Sequence, residues 1–131
     1  MTVTTPNLTA DRFDDARILI VEDEPFIAWE LAQAVESAGG IVIGPAATLA
    51  QALALVQASV LEAAILDVNL PDGHIGPVLE TLRPHVAVII HSGVGLPPEI
   101  RERFPSVPFY FKPTPTGVLT TRLASSLNGR P

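Results

Sequence analysis

Short, largely apolar runs alternate along this chain with segments whose apolar residues recur at helical spacing, and that alternation admits few folds. The runs are RILIV before Glu22, IVI at 41–43, AAIL before Asp67, VAVII before His91 and VPFYF before Lys112. Each is too short for a core helix and lacks a polar side, as befits a strand covered on both faces. Between them, Pro25 opens a helical stripe of Ile27, Leu31, Ala34, Val35 and Ala38, which Gly39-Gly40 stops. Thr48 is a candidate N-cap for a helix through Leu49, Ala52, Leu53 and Val56, after Gly44-Pro45 breaks the second strand. A short helix is predicted from Ile75 to Leu82, ended by Pro84. A last one starts near Pro115 and carries Val118, Leu119, Leu123 and Leu127. The intervening GVGLPPEIRERFPS has two glycines and three prolines, which limits it to one or two turns near Glu99 to Phe104. Five strands alternating with about five helices predict an α/β, doubly wound parallel sheet with right-handed crossovers, its fourth helix short or irregular.

The 131 residues suffice for one such domain, and 47% hydrophobic against 17% charged residues supplies its core. Residues 1–15 read as a polar tail and 16–128 as the domain, with no output domain after it. A net charge of −6 opposes a nucleic-acid role, which needs a clustered basic face. The absence of cysteine excludes disulfide and thiolate chemistry. No signal peptide is evident and no apolar run approaches the roughly 20 residues that span a bilayer. A cytoplasmic protein without membrane contact is expected.

What the runs end in narrows the chemistry. The carboxyl ends of parallel strands share one edge, where the ligand crevice of such folds lies. The sequence brings there Glu22 and Asp23, then Asp67, Ser92 and Lys112. Oxygen-rich sites of one or two carboxylates suit magnesium. Helix capping explains an acid beside Pro25, since carboxylates favour the positive end of a helix. It does not explain Asp67 ending a second run or Lys112 ending a third. Asp67 is the candidate nucleophile, because a carboxylate can attack phosphorus and form an acyl phosphate. Lys112 can pair with that carboxylate and then with a phosphoryl oxygen, and Ser92 can donate its hydroxyl. Lys112-Pro113 is a candidate cis peptide. His74, His85 and His91 share no spacing and receive no role, and Trp29 falls one residue past the first helical stripe.

Taken in order, ILIVEDEP, ILDVNLPDG, IIHSG and FYFKP resemble the receiver domain of bacterial two-component response regulators over about residues 16–128. The resemblance implies a flavodoxin-like sheet of order 2-1-3-4-5 and a stand-alone phosphorylation switch, not a conventional enzyme. By it, Asp67 is the phosphoacceptor, Asp23 a direct ligand of Mg2+ (or Mn2+), and Glu22 a neighbour acting largely through water. Asn69 would offer its main-chain carbonyl to the metal, Ser92 would be the switch hydroxyl, and Lys112 would bind the phosphoryl group. The implied partners are a sensor histidine kinase or histidine phosphotransfer protein and a downstream protein, with a homodimer allowed.

Three departures stand out. NLPDG is shorter than the commoner loop with a Met-Asp-Gly turn. Phe109 stands where many members carry a switch tyrosine, and Pro97-Pro98 interrupts the expected fourth helix. Two rival readings are a receiver-like interaction module that needs no phosphate and a haloacid dehalogenase-like phosphatase. The phosphatase needs a second acid two residues past the nucleophile, where this chain has Asn69.

Overall fold

The computed structural model describes residues 12–129. Five strands form one parallel sheet: β1 (Arg17–Val21), β2 (Ile41–Ala46), β3 (Ala63–Leu66), β4 (Ala87–Ser92) and β5 (Phe109–Phe111). Their spatial order is β2-β1-β3-β4-β5, the order expected of a flavodoxin-like sheet. Five helices connect and close it: α1 (Pro25–Ser37), α2 (Leu49–Ala58), α3 (Gly76–Thr81), α4 (Pro98–Arg103) and α5 (Thr116–Asn128). Asn69–Leu70 and Gly73–His74 pair antiparallel as a two-residue hairpin directly after β3. The proline-rich stretch does form a helix, and α4 is held to six residues with Pro98 in its first turn.

Strand alternation divides the core in two. Ile18, Ile20, Ala63, Ile65, Ala87 and Ile89 face Leu31 and Val35 of α1 and Leu119, Leu123 and Ala124 of α5. Leu19, Val21, Ala64, Leu66 and Ile90 face Ala52 of α2, Val78 and Leu79 of α3 and Ile100 of α4. Both faces are therefore covered, which is why the strand sequences show no polar side. Removing one of these fully buried branched side chains, as in Ile65→Ala, costs about 2–5 kcal/mol.

Three expectations need correction. Gly44-Pro45 does not end β2. The strand continues to Ala46 through a bulge, the register passing from Leu19↔Ile43 to Val21↔Ala46. Gly44 takes φ 102° there, a conformation that only glycine adopts freely, and its bond to Pro45 is cis. Val118 faces solvent, because the buried stripe of α5 is Leu119, Leu123 and Ala124. The tail read over residues 1–15 lies mostly outside the described residues. Its last part is packed, with Phe13 buried among the α1–α5 core residues and its N–H donating to Ala38 O at 2.8 Å. No helix among the described residues is long and apolar enough to cross a membrane.

Candidate functional site

The carboxyl ends of β1, β3, β4 and β5 meet at one edge and carry the four groups singled out from sequence. Glu22 and Asp23 follow β1, Asp67 follows β3, Ser92 ends β4 and Lys112 follows β5. Main-chain bonds to neighbouring strands fix these positions. Asp67 N donates to Val21 O at 2.9 Å, Lys112 N to Ser92 O at 2.8 Å, and Glu22 N to Ala46 O at 2.9 Å.

Glu22, Asp23 and Asp67 bring carboxylate oxygens within 4.8 Å of one another, an acidic cluster able to coordinate a divalent cation. Glu22 and Asp67 are buried, and Asp23 is exposed at the mouth. The Lys112 ammonium lies 2.9 Å from Asp67 Oδ2, and 2.8 and 2.9 Å from the two oxygens of Glu22. The other Asp67 oxygen accepts from Val68 N at 2.7 Å. Ser92 is buried, and its Oγ accepts from Val94 N at 3.3 Å.

The two adjacent acids are not used alike. Glu24, one residue further on, caps α1: its carboxylate accepts from Phe26 N at 3.4 Å and Ile27 N at 3.0 Å. Asp23 is thereby left to the acidic cluster. Glu22 is the desolvated one, and burial pushes its carboxyl from 4.5 up to about 7 against the Lys112 and Glu24 hydrogen bonds. Burial also weighs against the charged Lys112. The hydrogen bonds and charges of Glu22 and Asp67 outweigh it and raise the lysine above its ordinary value.

Asn69 sits in the hairpin after β3, exposed and paired with His74. Phe109 is half-buried and packs edge-on against Phe111, ring centroids 4.7 Å apart. The Lys112-Pro113 bond is cis. Trp29 is exposed and stacks on Phe26 at 6.2 Å, both on the first turns of α1. His91 is buried one residue before Ser92, with neither ring nitrogen hydrogen-bonded.

Glu24 is the cap of α1, as expected of an acid beside Pro25, whereas Asp72, which accepts from the N–H groups of Leu49 and Ala50, carries no such mark in the sequence. Pro-Asp-Gly announces a turn, and that local signal hides the long-range bond. The Thr48-x-x-Gln51 spacing marks only the part of the first turn of α2 that its own residues close.

The family model of the response regulator receiver domain matches residues 18–108, and the chain belongs to that family. Members of the family are phosphoacceptor signalling domains that catalyse only their own phosphorylation and dephosphorylation. Among solved structures, the response regulator PhyR from Brucella abortus is 29% identical, with TM-score 0.74 over 92% of this chain and 51% of that one. A CheY-like receiver domain protein from Methanospirillum hungatei JF-1 is 27% identical, with TM-score 0.79 over 88% of this chain and 95% of that one. The receiver domain of the hybrid histidine kinase CckA is 27% identical, with TM-score 0.67 over 85% and 98%. The chain thus spans about half the length of PhyR and nearly all of the other two. No curated protein matches it.

Proposed function

We propose that Asp67 takes a phosphoryl group from the phosphohistidine of a sensor histidine kinase or histidine phosphotransfer protein. Residues 16–128 act as the receiver, which switches a protein-binding surface or passes the group on. The observation that carries this reading is the Lys112 ammonium shared between Asp67 and Glu22 beside Asp23. A carboxylate held next to a cation and an acid cluster is poised for in-line attack on phosphorus. The same group buried alone would be a poor place to add charge.

Glu22, Asp23, Asp67 and the main-chain carbonyl of Asn69 are the groups that would hold Mg2+ or Mn2+. When bound, the ion offsets charge on both the carboxylate and the incoming phosphoryl group. Asp67 attacks through a carboxylate oxygen, and the P–N bond to the donor histidine breaks as the acyl phosphate forms, leaving the donor imidazole free. Lys112 keeps its proton and passes from pairing with a carboxylate to pairing with a phosphoryl oxygen. Ser92 exchanges its contact with Val94 N for one with the phosphoryl group, which biases the start of α4. Phe109 supplies a ring whose position can follow Ser92, with no hydroxyl to bond. The phosphohistidine donors are proteins of the cytoplasm, the compartment in which this reading places the chain.

The test is to incubate the protein with acetyl phosphate and magnesium and weigh it. One phosphoryl adduct is expected, lost in Asp67→Ala and without magnesium. An adduct that survives Asp67→Ala, or none under any condition, overturns the reading.

A further inference from the structure

The loop that leaves the acceptor is tied to a helix that begins far from it in sequence. Asp72 Oδ1 accepts from Leu49 N at 2.6 Å, and its Oδ2 accepts from Ala50 N at 3.0 Å. The residues of α2 close its first turn only in part. Thr48 Oγ1 accepts from Gln51 N at 3.1 Å, and Gln51 Oε1 accepts from Ala47 N at 2.8 Å. The N–H groups of Leu49 and Ala50, two more donors of the first turn, both go to Asp72.

The next residue docks on the same helical turn. A Cβ at Gly73 would lie 3.1 Å from the Leu49 side chain, and Gly73 has φ 148°. The hairpin turn is thus held against α2 by a carboxylate, a close approach and a backbone conformation that favours glycine. On its other side the hairpin is pinned to the segment just after β3, where Ile75 N donates to Val68 O at 2.9 Å.

The segment Ala46–Ala50 also holds the opposite wall of the site, through the bond from Glu22 N to Ala46 O. The acid pair after β1 and the loop after Asp67 therefore share one anchor, the junction of β2 and α2. We propose that Asp72 is a positioning residue for phosphoryl acceptance. Holding the acceptor loop on the first turn of α2, it fixes how far Asn69 stands from Glu22 and Asp23, and so sets the affinity for the divalent cation. This rests on the metal-dependent reading of Asp67 given above. Partners that orient metal ligands without touching the ion typically change affinity by about 10–100-fold when removed.

The experiment compares Asp72→Ala, Asp72→Asn and Thr48→Ala with the wild type. Magnesium affinity is measured by calorimetric titration well below the unfolding temperature, and thermal stability of the metal-free protein is measured alongside. Asp72→Ala is expected to bind magnesium about tenfold more weakly. Asp72→Asn keeps the shape but only one accepting oxygen, so an intermediate loss of affinity is expected. Thr48→Ala removes only a cap and is expected to lower the unfolding temperature while leaving magnesium affinity unchanged. A residue that merely stabilised α2 would behave like Thr48. Magnesium affinity within twofold of wild type in the Asp72 variants, with lowered thermal stability, overturns the proposal. If Asp72→Ala does not fold, the isosteric Asn variant decides. The two readings fail separately: a wild type that takes no phosphoryl group sinks the function, whereas a competent wild type matched by the Asp72 variants sinks only the clamp.

Discussion

Lys112 reaches across the end of β4 to place its ammonium 2.9 Å from Asp67 Oδ2, while the same nitrogen is 2.8 Å from Glu22. The lysine is thus the counter-ion of two buried acids and occupies the electrostatic place a metal would share. Replacing it leaves uncompensated buried charge, at a cost of about 3 kcal/mol in the metal-free protein. Lys112→Ala should therefore unfold at lower temperature, gain more from added magnesium than the wild type, and bind the ion more tightly. Its phosphoryl acceptance from acetyl phosphate should fall about a hundredfold, the usual loss when a charge-stabilising donor is removed. Weaker magnesium binding in Lys112→Ala would contradict this account.

Magnesium affinity should rise with pH through about 7, because burial keeps Glu22 protonated up to about 7 instead of 4.5. Metal binding needs the carboxylate, so a proton leaves as the ion enters. Calorimetric titrations at about pH 6 and about pH 8, in buffers of differing ionisation enthalpy, report both affinity and proton release. The sign for folding runs the other way. The native state holds this proton more tightly than the unfolded chain, so its contribution is complete below 4.5 and is lost as pH rises through about 7. Affinity that is flat across the window would show that Glu22 takes no part.

His91 gives the opposite slope. Burial, with Lys112 adding to it and Asp67 opposing, lowers its pKa below 6.5. The unfolded imidazole then gains its proton first as pH falls, so this residue takes stability away on the acid side of 6.5. Neither ring nitrogen has a partner, and an apolar side chain of similar size should be better tolerated. His91→Leu is expected to stabilise the protein by about 1 kcal/mol, with a gain that grows toward low pH in thermal melts. A destabilised variant would mean that the imidazole has a polar contact worth keeping.

Glu24 and Asp23 should separate cleanly. Glu24→Ala removes the cap of α1 and should cost about 1 kcal/mol while leaving magnesium affinity unchanged. Asp23→Asn should do the reverse, weakening magnesium binding at little cost in stability. Denaturant melts and magnesium titrations on both variants check this, and matching effects from the two would refute the division.

The parallel sheet and the four strand-end groups were legible because periodicity and position along a strand are local properties, whereas the strand order came from the family resemblance. A run of Ile and Val needs no distant partner to declare itself a buried strand, and the residue after it must lie on the carboxyl edge. Asp72, Phe13 and the Gly44-Pro45 bulge were not legible in this way. Asp72 bonds to a helix more than twenty residues earlier, Phe13 packs only because α1 and α5 meet above it, and the bulge depends on the register with β1. Each follows from an approach that exists only once the chain has closed. A Pro-Asp-Gly or Gly-Pro pair announces a turn and says nothing of what the turn will touch.

The parallel sheet also divides the molecule into a working edge and a quiet one. The acids, hydroxyl and lysine of the site sit where the strands finish, whereas Val60, 72% exposed, precedes β3 at the end where the strands begin. The chain has no cysteine, so one placed at Val60 would be its single thiol. A dye carried there would report tumbling and partner capture while standing a full strand length from Asp67.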